Sequence, residues 1–179
     1  MSQTPQPNAD AQEALAFLRR WPSAFPHLVE IHVDPVTHEK GHIEGRSFTR
    51  NNLDDGGRVE RRVAKRQGKA NQYFTVNTLL RPMTGKPAKT DVDEVVAFQI
   101  DIDVPEGEDQ ESGVAKLLAA VRSYRLPAST IISSGGGVQA FWILQQADRI
   151  KIGGDKTKAK EAERYTRGLE DEFRAIGAG

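Results

Sequence analysis

Apolar residues along the chain recur with two different periods. Ala11, Ala14, Leu15, Leu18 and Trp21 fall at helical spacing behind Asp10, a capping residue, and Trp21-Pro22 ends the run. Leu28-Val29-Glu30-Ile31-His32-Val33 alternates and predicts a strand, closed by the turn residues Asp34-Pro35. Thr37 to Asn52 fits a second strand and a short helix, and Asp54-Asp55-Gly56-Gly57 a turn. Gln72-Tyr73-Phe74-Thr75-Val76-Asn77 predicts another strand, and Arg81 to Thr90, with two prolines and a glycine, a loop. Val95 to Val104 is the strongest strand signal, and its near-continuous apolar run predicts burial on both faces. Pro105-Glu106-Gly107 ends it. Val114, Leu117, Leu118 and Val121 mark an amphipathic helix. Thr130-Ile131-Ile132 then enters a Ser-Ser-Gly-Gly-Gly loop, and Val138 to Leu144 leaves it. Ala159, Ala162, Tyr165, Leu169, Phe173 and Ile176 line one face of a long final helix.

Strand, helix, hairpin, helix is the order of a split βαβ layer. The expected fold class is therefore α+β: an N-terminal α/β module packed on an RRM-like sheet. Residues 1–9 are polar and Pro-containing and read as a disordered tail, leaving 10–179 as one domain with enough chain for a core.

Composition narrows the function classes. Charged residues make up 28% and apolar ones 37%, the balance of a soluble globular protein. No stretch approaches the roughly 20 apolar residues that cross a bilayer, and the N-terminus lacks a signal-peptide pattern, so no membrane partner is expected. The absence of cysteine removes disulfides, zinc-thiolate sites and thiol nucleophiles, and a cytoplasmic protein is the simplest reading. Net charge is zero, yet Arg58, Arg61, Arg62, Lys65, Arg66 and Lys69 are opposed only by Glu60. Such a run suits a phosphate backbone; a solvated helix or loop is the alternative. Acidic residues concentrate instead between Asp91 and Glu111.

That acidic segment holds the first chemical candidate. Asp101 and Asp103, one residue apart on a strand, share a face. Two ionised carboxylates that close repel each other unless a cation sits between them, and Mg2+ or Mn2+ takes such oxygen ligands. Two acids at a strand end facing water is the bland alternative. Ser133-Ser134-Gly135-Gly136-Gly137 is the second candidate, since glycines let backbone N–H groups converge on an anion such as a triphosphate. It is not a Walker A loop, because no Lys-Ser or Lys-Thr follows, and a plain hairpin turn is its alternative. Gln139 is placed to reach a phosphate or base, whereas Trp142 reads as core. The four histidines, His27, His32, His38 and His42, read as surface or structural groups; His38 and His42 have i,i+4 spacing, but their segment is not convincingly helical. Arg46, Arg50 and Arg81 are weaker candidates for contacting triphosphate or template.

Phe98-Gln99-Ile100-Asp101-Ile102-Asp103, a helix, and then Ser134-Gly135-Gly136-Gly137-Val138-Gln139-Ala140-Phe141-Trp142 resembles the RepB-like branch of the archaeo-eukaryotic primase superfamily, over roughly Tyr73 to the C-terminus. These are primases and primase-polymerases of plasmids, phages and mobile elements. The resemblance implies that Asp101 and Asp103 form the metal-binding first motif and that Ser134, Gly135, Gly136, Gly137 and Gln139 form the nucleotide-binding second. It implies template-directed nucleotidyl transfer with two divalent metals, nucleoside triphosphates and a single-stranded DNA template, and a helicase or replication initiator as partner. Arg58, Arg61, Arg62, Lys65, Arg66 and Arg81 are then the expected nucleic-acid contacts. Two departures stand out. Gln139 replaces a usual histidine, and a third acidic motif is expected where the sequence stops at Gly177-Ala178-Gly179, so the chain reads as a fragment. A non-catalytic nucleotide- or single-stranded-DNA-binding module is the alternative function. D-x-D glycosyl transfer is disfavoured for want of a sugar-nucleotide domain.

Overall fold

The structure, a computed structural model, describes residues 11–34, 37, 40–54, 57–67, 69–134 and 136–175. The chain is mixed α+β with small antiparallel sheets. It divides into two compact units, one built mainly from the first half up to Val95 with Lys151–Lys156, the other from Val96–Ile150 and the chain from Thr157 onward. Among the described residues no helix is long and apolar enough to cross a membrane.

The first unit opens with α1 (Ala11–Arg20), β1 (His27–Val33), β2 (Lys40–Ser47), α2 (Arg50–Asp54), α3 (Arg58–Arg66) and β3 (Ala70–Phe74). β1 lies between β2 and β3 in an antiparallel sheet of order β2-β1-β3. The helical period of α1 and α3 buries Leu15, Leu18, Val59 and Val63 against Leu28, Phe48 and Leu53. Phe17, Trp21 and Phe74 close one end with ring centroids 5.0–5.2 Å apart, and the Trp21 indole N–H donates to the Val76 carbonyl. Arg50 donates to the carbonyls of Leu18, Arg19 and Trp21 at the end of α1, while Arg19 donates to the Leu53 carbonyl in α2. Each arginine satisfies carbonyls that a helix end leaves without partners. Arg50, a sequence candidate for phosphate contact, is thus committed to holding α1. A second sheet, of order β4-β5-β9, joins β4 (Thr78–Leu79), β5 (Val92–Val95) and β9 (Ile150–Lys151).

The other unit contains β6 (Ala97–Asp103), α4 (Gln110–Ser123), β7 (Thr130–Ser133), β8 (Gly137–Ile143) and α5 (Lys156–Ala175). β8 pairs antiparallel with both β6 and β7, giving the order β6-β8-β7. β6 and β7 are therefore parallel, linked through α4, with β8 inserted between them: the split βαβ pattern expected from the sequence. Asp109 caps α4 by accepting from the Ser112 N–H. Ile100, Ile102, Val138 and Ala140 face Leu117, Val121 and Phe173 in the core. Trp142 belongs to that core, with its ring 6.0 Å from Phe173 and its N–H on the Leu126 carbonyl. Tyr165 stacks on Phe98 at 5.2 Å while remaining mostly exposed, and Ile176 lies outside the described residues.

One expectation needs correcting. The strand read over 95–104 does not reach back to its first residues: Val95 ends β5, which pairs with β4, and β6 begins at Ala97 and pairs with β8. Nor is β6 buried on both faces. Ala97, Ile100 and Ile102 are buried, whereas Gln99, Asp101 and Asp103 are exposed. The Ile100–Ile102 face meets helices; the opposite face is buried at Ala97 and Phe141 but open at Gln99, Asp101 and Asp103, where polar side chains keep their hydration.

Two stability predictions follow from the first unit. Glu30 has 0% exposure and receives Arg62 Nε at 2.8 Å and Arg66 Nε at 3.2 Å. Removing one member of a buried ion pair strands its partners, so Glu30→Ala should lower unfolding free energy by about 3 kcal/mol in a urea titration. His27 is buried between the Ser47 hydroxyl and the Gly85 carbonyl, and burial pulls its pKa below the ordinary value, with the Gly85 bond opposing. The unfolded chain then binds the proton more readily than the native one. Stability should be fully present above about pH 6.5 and fall as pH drops through the histidine range, a loss that His27→Gln should flatten in thermal melts between pH 7.5 and 5.

Candidate functional site

The outer face of the β6-β8-β7 sheet brings together most of the sequence candidates. Register pairs Asp101 with Gln139 and Asp103 with Gly137. Because side chains alternate, Asp101, Asp103 and Gln139 stand on the face opposite the Ile100–Ile102 core. Gln139 Nε2 donates to Asp101 Oδ2 at 3.2 Å, leaving the other carboxylate oxygen toward solvent. Among the described residues no cationic side chain pairs with either aspartate. Two exposed carboxylates on one face, with no counter-charge, form an all-oxygen donor set that fits a hard divalent cation. Their exposure removes burial cost as an argument for that role. The case rests on shared face and missing counter-charge.

The glycine loop lies at the same end of the sheet. Ser134 N–H donates to the Gly137 carbonyl, and Val104 N–H to the Gly136 carbonyl, so these backbone groups close the hairpin. A Cβ on Gly137 would sit 2.1 Å from the Ile102 carbonyl oxygen and 2.8 Å from Asp103 Cα, so β8 approaches β6 there as only glycine permits. A Cβ on Gly136 meets nothing within 4 Å. Packing therefore accounts for Gly137 but not for Gly136, which is exposed beside the exposed Ser134. Gly135 lies outside the described residues.

The basic candidates belong to the other unit. Arg58, Arg61, Lys65 and Lys69 are exposed on or just after α3, and Arg81 is exposed in the loop after β4. Arg62 and Arg66 turn inward instead. Arg62 grips Glu30 with two hydrogen bonds of 2.8 Å, and Arg66 Nη2 reaches Glu44 Oε2 at 2.8 Å. Their charge is met by carboxylates, so any phosphate contact from α3 falls to its outward residues. Arg46 is exposed on β2.

Those carboxylates belong to a cluster that sequence reasoning missed. Glu30, His32 and Glu44 each place a ligand atom within 4.8 Å of the others, a group that could bind a metal ion. Glu30 and His32 sit two apart on β1, and Glu44 is the register partner of Glu30 on β2. The signal was present as a mirrored pattern, Glu30-Ile31-His32 against His42-Ile43-Glu44. The helical spacing of His38 and His42 obscured it, since the segment from Lys40 is a strand and His38 lies outside the described residues.

On the helix-covered side of the second unit, an open recess of about 530 Å³ is lined by Ala120, Ser123, Tyr124, Arg125 and Glu172. Its polar groups satisfy one another: Tyr124 and Arg125 both donate to Glu172, which holds the Glu172 carboxyl below its ordinary pKa. It lies across the sheet from Asp101.

No family model matches the chain, and no curated protein or solved structure is similar enough to it to count as a match.

The two glycines separate packing from chemistry. Gly137→Ala should cost about 1–3 kcal/mol in chemical denaturation, because backbone must move, whereas Gly136→Ala should stay within about 0.5 kcal/mol of the parent.

Proposed function

We propose that the outer face of the β6-β8-β7 sheet binds a divalent cation together with a nucleoside triphosphate and carries out template-directed nucleotidyl transfer, the primase or primase-polymerase reaction of plasmid, phage or mobile-element replication. The observation that carries this reading is that Asp101, Asp103 and Gln139 share one exposed face, with Ser134 and Gly136 at the same end of the sheet and, among the described residues, no cationic side chain paired with either aspartate. Asp101 and Asp103 would hold Mg2+ or Mn2+, ions commonly bound by one or two carboxylates plus substrate phosphates. Bound there, the cation neutralises phosphate charge and lowers the pKa of an attacking hydroxyl. Gln139 orients Asp101 through its amide and keeps its own carbonyl oxygen for a second contact. Ser134 Oγ and the backbone around Gly136 supply donors for phosphate oxygens. The outward residues Arg58, Arg61 and Lys65, with Arg81, supply salt-sensitive contacts to template phosphates.

A second reading, a nucleotide- or single-stranded-DNA-binding module without turnover, draws on one specific observation. Among the described residues, Asp101 and Asp103 belong to no group of three close metal-capable side chains. Two carboxylates suffice to seat one cation with its nucleotide but are a small set for two.

Primer extension on single-stranded DNA with Mn2+ and nucleotides, run beside nucleotide-binding titrations, tests both. The double substitution Asp101→Ala, Asp103→Ala should reduce extension at least a hundred-fold and leave the thermal midpoint nearly unchanged, as expected at exposed positions. Equal extension by parent and variant would sink the proposal. Metal-dependent nucleotide binding that the substitutions abolish, without extension by the parent, selects the binding module.

A further inference from the structure

The mirrored Glu-Ile-His and His-Ile-Glu segments of β1 and β2 place four metal-capable side chains on one face of the first unit's sheet. They are not equivalent. Both oxygens of Glu30 accept from guanidinium groups of Arg62 and Arg66, so this carboxylate is saturated with positive charge. Glu44 is engaged on one side only: Arg66 and Arg62 approach its Oε2, at 2.8 and 3.4 Å. Its Oε1 faces two imidazoles, with His32 Nε2 at 3.7 Å and His42 Nε2 at 3.9 Å.

Those separations are too long for hydrogen bonds. They fit ligands of one cation, since bonds of about 2.0–2.2 Å set two ligands about 3–4 Å apart. His32 Nε2 is, moreover, shielded from solvent with no hydrogen-bond partner. A shielded ring nitrogen without a partner is an uncommon expense in a folded protein, and a lone pair directed at a metal removes it. The arginines do for Glu44 what outer residues do in metal centres: they fix the carboxylate's orientation through one oxygen and leave the other to coordinate.

We propose that His32 Nε2, His42 Nε2 and Glu44 Oε1 form a site for a borderline divalent transition-metal ion, Zn2+ being the type, with a further position open to water. Two imidazoles with one carboxylate select such ions over Mg2+, which prefers oxygen ligands alone. The site is separate from the aspartate pair of the proposed function in its residues, its unit and its preferred cation. The His42 ring stacks on that of His32 with centroids 6.2 Å apart, so it must turn for its Nε2 to join the set, and its side chain, 74% exposed, is free of the core.

Zn2+ titrated by calorimetry into the chelator-treated full chain tests the assignment. One ion per chain is expected, with His42→Gln binding at least ten-fold more weakly and His32→Gln, His42→Gln together not measurably. Zn2+ should raise the thermal midpoint of the parent but not that of His42→Gln, which retains the fold because the residue is exposed. Asp101→Asn, Asp103→Asn should bind Zn2+ as the parent does. Absence of Zn2+ binding by the folded parent, undiminished binding by the double histidine variant, or loss of binding in the aspartate variant would each overturn the site. None of these outcomes bears on primer extension, so the two proposals fail independently.

Discussion

The two-residue period of a paired strand is the constraint from which both polar clusters arise. On β6 it sends Ile100 and Ile102 to the helices and Asp101 and Asp103 to the opposite face. On β1 it puts Glu30 and His32 on the face of Leu28, which α3 covers, rather than with Val29 and Ile31. Register then decides what each acid meets across the ladder: Gln139 for Asp101, and Glu44 for Glu30. A one-residue slip in either ladder would exchange the faces, burying aspartates against α4 or exposing Glu30 and stranding two arginines. The hydrophobic cores hold register, and the polar groups inherit their positions from it.

The same geometry yields opposite electrostatic outcomes on the two sheets. Glu30 lies beneath a helix, where an unpaired carboxylate would be costly, and α3 brings two arginines down on it. A run of basic residues that resembles a phosphate-binding stripe in sequence is thereby divided by the helical period, with Arg62 and Arg66 turned to the sheet and Arg58, Arg61 and Lys65 to solvent. Asp101 and Asp103 are exposed, so their carboxylates keep their hydration at little cost. The buried acid is committed to the fold, whereas the exposed pair faces solvent.

What was legible in the sequence is what local periodicity encodes. α1, β1, α4 and α5 stand where their apolar spacing places them, and the order of β6, α4, β7 and β8 along the chain already carries the split βαβ pattern. The break at Val96 was not legible, because Val95 and Val96 continue the apolar run of β6; only the switch of ladder partner divides them. Nor was the commitment of Arg62 to Glu30, 32 residues away, or of Arg50 to carbonyls of α1. Sequence gives the charge of an arginine but not its distant partner. For the aspartate site, shared face was legible from i,i+2 spacing, whereas exposure depended on which sheet face the helices cover. His32 and His42 went unmatched because their pairing is a property of the β1–β2 ladder, in which residues ten apart become neighbours.

Donor chemistry and local charge together sort what each cluster can hold. Around Glu30 and Glu44 two carboxylates are balanced by two guanidiniums, so the field offers little to attract a cation. Affinity there must come from directional imidazole lone pairs, which favours ions that bind nitrogen strongly. Around Asp101 and Asp103 the balance is reversed. Two exposed carboxylates stand there with the neutral Gln139 amide as partner of Asp101, so charge itself would favour a divalent cation. One divalent cation would offset the two aspartate charges, whereas free phosphate would be repelled. On donor chemistry the aspartate face therefore favours hard, oxygen-bound cations, and the histidine cluster ions that bind nitrogen.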